Sequence, residues 1–519
     1  MSARRGTRRW SRLLATGVGA SLLLTVLPVH GGTASAEARP AAQTSGLLGT
    51  VGGLLGGVGT TLDGLLSNVL GTGFRLGLFD EFRGTGTAVW PGDVRNATKA
   101  AAPLSRGIDG SGVDVALVDT GTVPVPGLDV TGAVINGPDL SFDHQGGVPA
   151  GLDGFGHGTH LAGIIAGRGT AKTQGLAPDS RLVNVKVGAG NGAVDVSQVI
   201  AAIDWVVQHR HDPGVNIRVL NLSYGTDGTQ SYRSDPLAHA VESAWRNGIV
   251  VVVAAGNSGG ALLDPAADPY VLTVGSVDLG DPALALDDRV APYSSVGTAA
   301  RRVDLVVPGS SIVSLRDPGS TIDDEHPEAR VGTTGFRGSG TSQAAAVASG
   351  LVADLLEARP SLTPDQVKAV LRGTAKPVSG SALAAQGAGM VDLDAATKVA
   401  LPSTKQAFDP STGLGTIEGA RGTSHVSLEG VELRGERDVQ SGPWTPATWA
   451  PKASAGTAWT GGTWNGQVWA GDGWLTGGTD WSGRTWRDAA WTGRTWRDDA
   501  WAGRTWRGDT WTGRTWRSS

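Results

Sequence analysis

Three short, widely separated segments carry an Asp, a His and a Ser in the settings that nucleophilic catalysis requires. They are Val115–Gly121 with Asp119, Gly156–Gly163 with His157, and Gly338–Ala344 with Ser342. A serine hydroxyl is a poor nucleophile at neutral pH, so it needs a base within hydrogen-bond reach and a third group that orients the base. A fold that uses these segments must therefore bring three distant parts of the chain together.

Asp119 ends an apolar run, Val113 to Val118, that only Asp114 interrupts. Such a run predicts a buried parallel strand. A carboxylate at the C-terminal end of a parallel strand lies where open α/β sheets place their ligands. A turn Asp at a strand end is the ordinary alternative for Asp119 alone, and the other segments decide against it.

The chain after His157 is small and apolar from Thr159 to Ala166, which predicts a helix with His157 at its N-terminal end. His160 follows three residues later. A metal site built on the two histidines is a weak alternative, because no nearby carboxylate or Cys completes a ligand set.

Ser342 opens the strongest helical pattern in the chain, Ser342 to Ala358. A helix N-terminus offers free N–H groups and the positive end of the helix dipole, which favour an oxyanion. An N-cap role for Ser342 is compatible with this one. Asn257 follows an apolar strand, Ile249 to Val253, and its amide is a candidate second donor to the oxyanion, although an Asn in a Gly-rich loop is usually a turn residue.

In their order and local motifs these segments resemble the subtilisin-like (subtilase) serine endopeptidases over roughly residues 100 to 400, of a secreted, actinobacterial type with C-terminal Trp repeats. The resemblance implies a three-layer α/β fold with a mainly parallel central sheet flanked by helices. It implies that Ser342 is the nucleophile, His157 the general base, Asp119 its orienting partner and Asn257 an oxyanion donor. His160 is then structural. Polypeptides are the implied substrates, no cofactor is needed for the chemistry, and no loop identifies a metal site, although structural calcium is common in the family.

Two further segments resemble the walls of the family's S1 pocket. The first follows the predicted strand Ile217–Leu220, and the second follows the strand before Asn257. The wall residues are Ser223, Tyr224 and Gly225 on one side and Ala254, Ala255 and Gly256 on the other. Main-chain pairing with an extended peptide gives affinity irrespective of side chain. Since no charged residue is evident in either wall, we expect an apolar or broad P1 preference.

The chain departs from the family pattern in two places. Ala346 stands where the family usually has a proline, and the segment between Asn257 and Pro265 is short, which leaves the floor of the S1 pocket undefined. The Asp264–Pro265 and Asp268–Pro269 bonds lie where the family often has a cis proline. We expect activity to survive both Ala346 and the short segment after Asn257.

Composition excludes several other classes of protein. The 519 residues carry a net charge of −5 with mixed signs, so no global electrostatic case exists for nucleic acid. The absence of cysteine excludes disulfides, a catalytic thiol and Cys-ligated zinc.

Residues 1–36 have the pattern of a secretory signal peptide. Several arginines precede an apolar stretch, Leu13 to Val29, and Ala34-Ser35-Ala36 supplies a cleavage site. A membrane anchor is the less favoured alternative, because glycines and Pro28 interrupt a short apolar core. Thr7–Trp10 also fits a twin-arginine signal, so both export routes stay open. Either route predicts a secreted, extracellular protein.

The predicted domains after the signal peptide are a Gly/Leu-rich spacer or short pro-segment at 37–90, the peptidase domain at 91–400, a linker at 401–442 and a Trp-rich region at 443–519. A weakly amphipathic, surface-associating stretch is an alternative for residues 37–90.

Tryptophan dominates the end of the chain. From Trp481 to Trp516 it recurs every five residues in a unit close to W-x-G-R-T-W-R-x-x-x. Five is neither the helical nor the strand period, so the repeat predicts either a self-packed β module or a disordered tail. Exposed Trp platforms could instead bind a cell-wall or surface polysaccharide; base stacking on nucleic acid does not suit a secreted chain. The competing function is therefore a surface-binding protein whose protease-like body has lost activity.

Overall fold

The computed structural model describes residues 87–143, 151–280, 288–428, 431–440, 442–469 and 481–483. The predicted signal peptide, residues 37–86 of the spacer and nearly all of the five-residue Trp repeat lie outside the described residues. Within the described ranges, no helix combines the length and the apolar character needed to cross a bilayer.

The centre of the molecule is an eight-stranded sheet in which seven strands run parallel. The order across it is β2-β3-β1-β4-β5-β6-β8, and the short β7 pairs antiparallel with β6. These strands are β1 Asp114–Asp119, β2 Val134–Asp139, β3 Arg181–Lys186, β4 Ile217–Leu222, β5 Val250–Ala254, β6 Leu272–Asp278, β7 Arg289–Val290 and β8 Leu305–Pro308.

Three small antiparallel sheets complete the strands of the described residues. Their members are β9 Ile312–Leu315, β10 Arg330–Val331 and β11 Gly335–Gly338; β12 Val426–Leu428, β13 Val431–Glu432 and β17 Trp481–Gly483; and β14 Trp459–Thr460, β15 Thr463–Trp464 and β16 Gln467–Val468.

The helices alternate with the strands of the central sheet and continue beyond it. They are α1 Pro91–Ala97, α2 Ala101–Ser105, α3 His157–Ala166, α4 Val196–His209, α5 Pro236–Arg246, α6 Thr321–Glu325, α7 Thr341–Ala358, α8 Pro364–Thr374, α9 Leu383–Gln386, α10 Leu393–Lys398, α11 Ile417–Arg421 and α12 Pro446–Ala455, with a 3₁₀ turn at Pro327–Ala329.

The predicted α/β architecture with a mainly parallel sheet is confirmed. Every residue of β1 is buried, as expected for a parallel strand covered on both faces. Helices α3 and α7 pack against each other and against sheet strands, and α4 and α5 form a second packed pair. Two layers of helices therefore enclose the sheet.

The helix starts follow from capping residues. The Asp195 side chain accepts a hydrogen bond from Ser197 N at 2.9 Å and forms a capping box at the start of α4. The Asp235 side chain caps α5, and Pro236 occupies the first turn of that helix. In both helices the capping carboxylate satisfies backbone N–H groups of the first turn.

Residues 401–442 differ from the predicted linker, because they pack on the catalytic body. The Arg421 side chain is fully buried, and its Nε lies 2.6 Å from the Asp195 carboxylate, which is also fully buried. Ile417 and Ala420 join the main hydrophobic core. A polar, irregular composition predicted a linker, but one buried ion pair and a few apolar side chains fix the segment.

The first tryptophans of the C-terminal region also belong to the core. Trp449 and Trp464 are fully buried, and both indole nitrogens donate to Asp204 Oδ2, at 2.8 and 2.9 Å. Trp459 Nε1 donates to the carbonyl of Ala201 in the same helix, α4, at 2.9 Å. This part of the Trp-rich region is therefore a helix packed on α5 and a small β-sheet packed on α4.

Candidate active site

The predicted site residues gather at the C-terminal edge of the central sheet. Asp119 is the last residue of β1, and the two predicted substrate walls follow the adjacent strands β4 and β5 directly. Parallel strands end at one common edge, which is where open α/β sheets bind their ligands. The helices that begin with His157 and Thr341 pack together, so their N-termini come from one layer of the fold.

Asp119 and His157 form a hydrogen-bonded pair in the protein interior. His157 Nδ1 lies 2.7 Å from Asp119 Oδ1, and the two residues are 0% and 2% exposed. The same carboxylate oxygen accepts the backbone N–H of Thr120 at 2.8 Å. The carboxylate is thus held by its own chain and in turn fixes the imidazole ring.

The start of α3 approaches the end of β1 closely because residue 158 is a glycine. A Cβ added to Gly158 would lie 2.1 Å from the carbonyl oxygen of Gly121, so no side chain fits there. The backbone N–H of Gly158 also donates to Thr120 Oγ1 at 2.8 Å. These contacts bring His157, the first residue of the helix, against Asp119.

Asp153 organises the loop that leads into α3. Its carboxylate accepts backbone N–H groups from Gly156 at 2.7 Å and Thr159 at 2.8 Å. Burial raises the pKa of Asp153, whereas the nearby Lys186 and these hydrogen bonds act in the opposite direction. The residue therefore orders the backbone on both sides of His157.

His160 is fully buried one turn after His157, as expected for a structural residue. Its ring lies edge-on to Phe336, and Ser314 Oγ donates to its carbonyl oxygen at 2.7 Å. Burial, followed by the neighbouring His157, lowers the pKa of His160 to about 3. The ring is therefore neutral at ordinary pH. In the part of the chain that the structure describes, no group of three or more His, Asp or Glu side chains is arranged to hold a metal ion.

Ser342 is the second residue of α7 and is fully buried. The helix begins at Thr341 with Gly340 as its cap, so Ser342 itself is not the N-cap. Its Oγ makes no hydrogen bond to another described residue. The nucleophile candidate therefore lies in the first turn of the helix, with an uncommitted hydroxyl.

Asn257 is attached to the same helix start. Its Oδ1 accepts the Thr341 backbone N–H at 2.8 Å and the Thr341 hydroxyl at 2.9 Å. Its Nδ2 is buried and has no hydrogen-bond partner among the described residues. An amide whose oxygen is occupied in this way presents its N–H₂ group on the other side.

The wall that contains Ser223 is joined to Ser342 by a short network. Asn221 Nδ2 donates to Ser223 Oγ at 3.1 Å, and Ser223 Oγ donates to the carbonyl oxygen of Ser342 at 3.3 Å. Ser349, about two turns after Ser342 along α7, donates to Asn221 Oδ1 at 3.0 Å. These hydrogen bonds fix the end of β4 against the first half of α7.

All six predicted wall residues are buried. The Tyr224 ring belongs to the core, and burial raises the pKa of its phenol well above the usual value. Ala254 and Ala255 are likewise buried in the core. The glycines of the two walls, Gly225 and Gly256, are buried as well.

Leu263 lies between the two walls, a position that the sequence left undefined. A Cβ added to Gly225 would lie 2.8 Å from Leu263 Cβ, and one added to Gly256 would lie 3.0 Å from Leu263 Cγ. Leu263 is partly exposed and precedes Asp264, whose bond to Pro265 is cis. The short segment after Asn257 thus places an apolar side chain against both glycines.

Three more residues act on the site without having been identified from the sequence. Thr120 follows Asp119 and accepts a hydrogen bond from Gly158, and Thr341 precedes Ser342 and donates to Asn257. Their positions next to predicted site residues were the only signal in the sequence. Lys186 is fully buried, and its Nζ lies 2.9 Å from Asp143 Oδ2 and 2.7 Å from the Thr120 carbonyl. Burial by itself lowers the pKa of Lys186, but Asp143 and other nearby carboxylates raise it above its ordinary value.

The subtilase family model matches residues 110–390, which is 281 of the 519 residues and includes every site residue above. The chain belongs to the subtilase family. The matched region of this subtilase is therefore a subtilisin-like serine endopeptidase domain.

Named relatives agree with this assignment. Serine protease AprX of Bacillus subtilis (strain 168) is 39% identical over 282 residues, which cover 52% of this subtilase and 62% of AprX. Subtilisin Savinase of Lederbergia lenta is 32% identical over 302 residues, which cover 58% of this subtilase and 96% of Savinase. The chain thus spans less than two thirds of AprX.

A solved structure is also similar. The crystal structure of fervidolysin from Fervidobacterium pennivorans, a keratinolytic enzyme related to subtilisin, has 32% sequence identity and a TM-score of 0.48. The match covers 59% of this subtilase and 45% of fervidolysin.

Proposed function

We propose that this subtilase is a secreted endopeptidase that cleaves polypeptides through an acyl-enzyme on Ser342. The observation that carries the proposal is the buried 2.7 Å hydrogen bond between His157 Nδ1 and Asp119 Oδ1. The helix that bears Ser342 packs on the helix that begins with His157. A hydroxyl, an imidazole and a carboxylate at one sheet edge are the groups that acyl transfer requires.

Asp119 orients the base in this mechanism. Its carboxylate accepts a hydrogen bond from the Nδ1–H group, so Nε2 of His157 carries the basic lone pair. His157 Nε2 takes the hydroxyl proton as Ser342 Oγ bonds to the substrate carbonyl carbon, and then gives that proton to the leaving amine. A water molecule then attacks the ester carbonyl with His157 again as the base. This step releases the acid and restores the Ser342 hydroxyl. A hydrogen bond between Ser342 Oγ and His157 Nε2 forms when substrate is bound, since catalytic hydrogen bonds often become short only in the complex.

Asn257 and the first turn of α7 stabilise the negative charge on the carbonyl oxygen. The Asn257 amide oxygen is occupied by Thr341, which supports Nδ2 as the donor. The second donor is the Ser342 backbone N–H, one of the unsatisfied N–H groups of a helix N-terminus. The Thr341 contacts fix the Asn257 amide before substrate arrives, which supports a preorganised donor.

The substrate lies as an extended strand between the Ser223–Gly225 and Ala254–Gly256 segments. Main-chain hydrogen bonds then provide most of the affinity, and sequence tolerance follows. The P1 side chain meets Leu263, which lies against both wall glycines, and this partly exposed apolar side chain supports an apolar preference.

Secretion and surface attachment are the outer parts of the proposal. The Arg-rich, apolar and Ala-Ser-Ala pattern of residues 1–36 supports export. Binding of a cell-wall or surface polysaccharide is assigned only to the repeat from Trp481 onward, because Trp444, Trp449, Trp459 and Trp464 are buried in the core. Retention on insoluble cell-wall polysaccharide tests the attachment proposal, with the full chain compared with a chain that ends at residue 483. Equal retention of the two chains would contradict the proposal.

The catalytically impaired surface-binding protein is the second candidate. The buried Asp119–His157 pair argues for the enzyme, because taking polar groups out of water costs free energy.

Hydrolysis of casein and of an apolar tetrapeptide p-nitroanilide by the full chain tests the enzyme. Ser342→Ala is expected to abolish both reactions, and Ser339→Ala, three residues away, serves as the matched control that retains them. A folded parent that cleaves neither substrate would favour the surface-binding protein over the enzyme.

A further inference from the structure

The segment 416–423, which contains α11, lies directly against the chain that follows the Ser223–Gly225 wall. Thr226 Oγ1 donates to the carbonyl of Ala420 at 2.6 Å, and the Thr229 N–H donates to the carbonyl of Gly419 at 2.9 Å. Thr226 is the residue immediately after Gly225. The segment 416–423 therefore bonds to the residue that directly follows the predicted substrate-binding wall.

Asp227 gives this contact a charge-assisted hydrogen-bond pair. Its carboxylate accepts the Thr423 backbone N–H at 2.8 Å through Oδ1 and the Thr423 hydroxyl at 2.9 Å through Oδ2. Gly422 allows the approach, since an added Cβ would lie 2.3 Å from Asp227 Oδ1. Hydrogen bonds to an ionised acceptor are stronger and more directional than neutral ones.

Thr226 also connects the segment to the floor of the cleft. It exchanges two backbone hydrogen bonds with Asp264, both 2.9 Å long. Asp264 directly follows Leu263, the side chain between the two walls. The stretch 223–230 is thus held between the Leu263–Asp264 chain on one side and the segment 416–423 on the other.

The segment itself is anchored to the catalytic body. Arg421 and Asp195 form a fully buried ion pair, and Arg421 also donates to the Gly435 carbonyl at 2.8 Å. Asp195 caps α4, so this anchor is tied to a long helix of the body. A segment fixed at Arg421 can resist displacement of the wall that it touches.

We propose that the segment 416–423 positions the substrate-binding stretch 223–230, with Asp227 and Thr423 as positioning residues for extended polypeptide substrates. The inference rests on the proposed endopeptidase function. A small displacement of the 223–225 backbone weakens its pairing with a peptide, whereas Asp119, His157 and Ser342 are held by other contacts. Substrate binding therefore depends on a part of the chain that lies beyond the family region.

Kinetics on the full chain test this role with two readouts. Asp227→Ala is expected to raise KM for an apolar tetrapeptide p-nitroanilide about tenfold, the value of a charge-assisted hydrogen-bond pair, with a smaller change in kcat. The rate of labelling by a small alkyl fluorophosphonate, which does not occupy the extended cleft, is expected to stay within about twofold. Thr423→Val is expected to act in the same direction, and the double variant to be no worse than Asp227→Ala.

Thr412→Val is the matched control. Thr412 is another exposed threonine of the C-terminal region, and its hydroxyl donates to the Arg233 carbonyl at 3.1 Å, away from the wall residues. It is expected to leave KM unchanged. An unchanged KM in Asp227→Ala, or a labelling rate that falls in step with peptide hydrolysis, overturns the inference while the parent remains an active peptidase. A parent that neither takes the label nor cleaves peptide overturns the proposed function, and this inference with it.

Discussion

The side-chain oxygen of Asn257 accepts both the backbone N–H and the hydroxyl of Thr341, at 2.8 and 2.9 Å. Two donors on one oxygen determine which way the amide faces. The remaining Nδ2 group is buried beside the first turn of α7, where Ser342 lies. Thr341 therefore orients the amide that we propose as an oxyanion donor.

This arrangement predicts the effect of removing the donor. Asn257→Ala is expected to lower kcat by about 10²–10³, the range found for one oxyanion donor in a subtilisin, with little change in KM. Thr341→Val retains the amide and its backbone partner and should lose less activity. Steady-state kinetics on an apolar p-nitroanilide measure both. Equal losses in kcat for Asn257→Ala and Thr341→Val would contradict the donor role.

The Asp119–His157 hydrogen bond predicts a second loss of activity. Asp119→Asn keeps the size of the side chain but stabilises the wrong imidazole tautomer, so kcat is expected to fall by about 10⁴ near neutral pH. Asp139→Asn is the control, because Asp139 lies at the end of β2 and bonds to Ser141 instead. Retention of full activity in Asp119→Asn would show that this carboxylate does not orient the base.

Leu263 predicts the size of the P1 residue. Because it contacts both wall glycines, we expect faster cleavage after alanine than after phenylalanine. Leu263→Gly should raise the ratio of kcat/KM for phenylalanine over alanine by about 10- to 100-fold. Leu262→Ala, a neighbour that packs near Gly297 instead, should leave the ratio unchanged. A parent that already favours phenylalanine would rule out Leu263 as the limiting side chain.

The buried Asp204 predicts a pH dependence of stability. Burial raises the pKa of Asp204 to about 7, although two indole N–H groups act in the opposite direction. In the unfolded chain an Asp titrates near about 4, so between about pH 4 and 7 the folded state holds a proton that the unfolded state has lost. The free energy of unfolding contributed by this group therefore falls as pH rises through that window and is level above it.

Asp204→Asn removes this titration and retains an acceptor oxygen for both indoles. Relative to the parent, the variant should gain stability as pH rises from about 4 to 7, by at most about 4 kcal/mol. Thermal unfolding in a Ser342→Ala background, which prevents self-digestion, gives the difference at each pH. The exposed Asp179→Asn is the control, and a parent-to-variant difference that does not change with pH would contradict the assignment.

The candidate catalytic segments could be identified from the sequence because their signals are local. A strand ending in Asp119, a glycine-flanked His157 and a small-residue helix after Ser342 each have a recognisable pattern. Parallel topology then places them at one edge without any knowledge of long-range contacts.

The C-terminal region could not be predicted in the same way. Residues 401–442 have no periodic apolar pattern, and the Arg421–Asp195 pair that fixes them joins positions far apart in the chain. Likewise, tryptophan composition suggested a separate module, whereas the decisive partner of Trp449 and Trp464 is one carboxylate, Asp204, on α4. Leu263 was missed because its role depends on which glycines it meets.

The most direct measurement is the site of covalent labelling by a fluorophosphonate on the full chain, located by peptide mass spectrometry. We predict one adduct per molecule, on Ser342, that is lost in His157→Ala as well as in Ser342→Ala. A folded parent that takes no label, or takes it on a serine other than Ser342, would contradict the account.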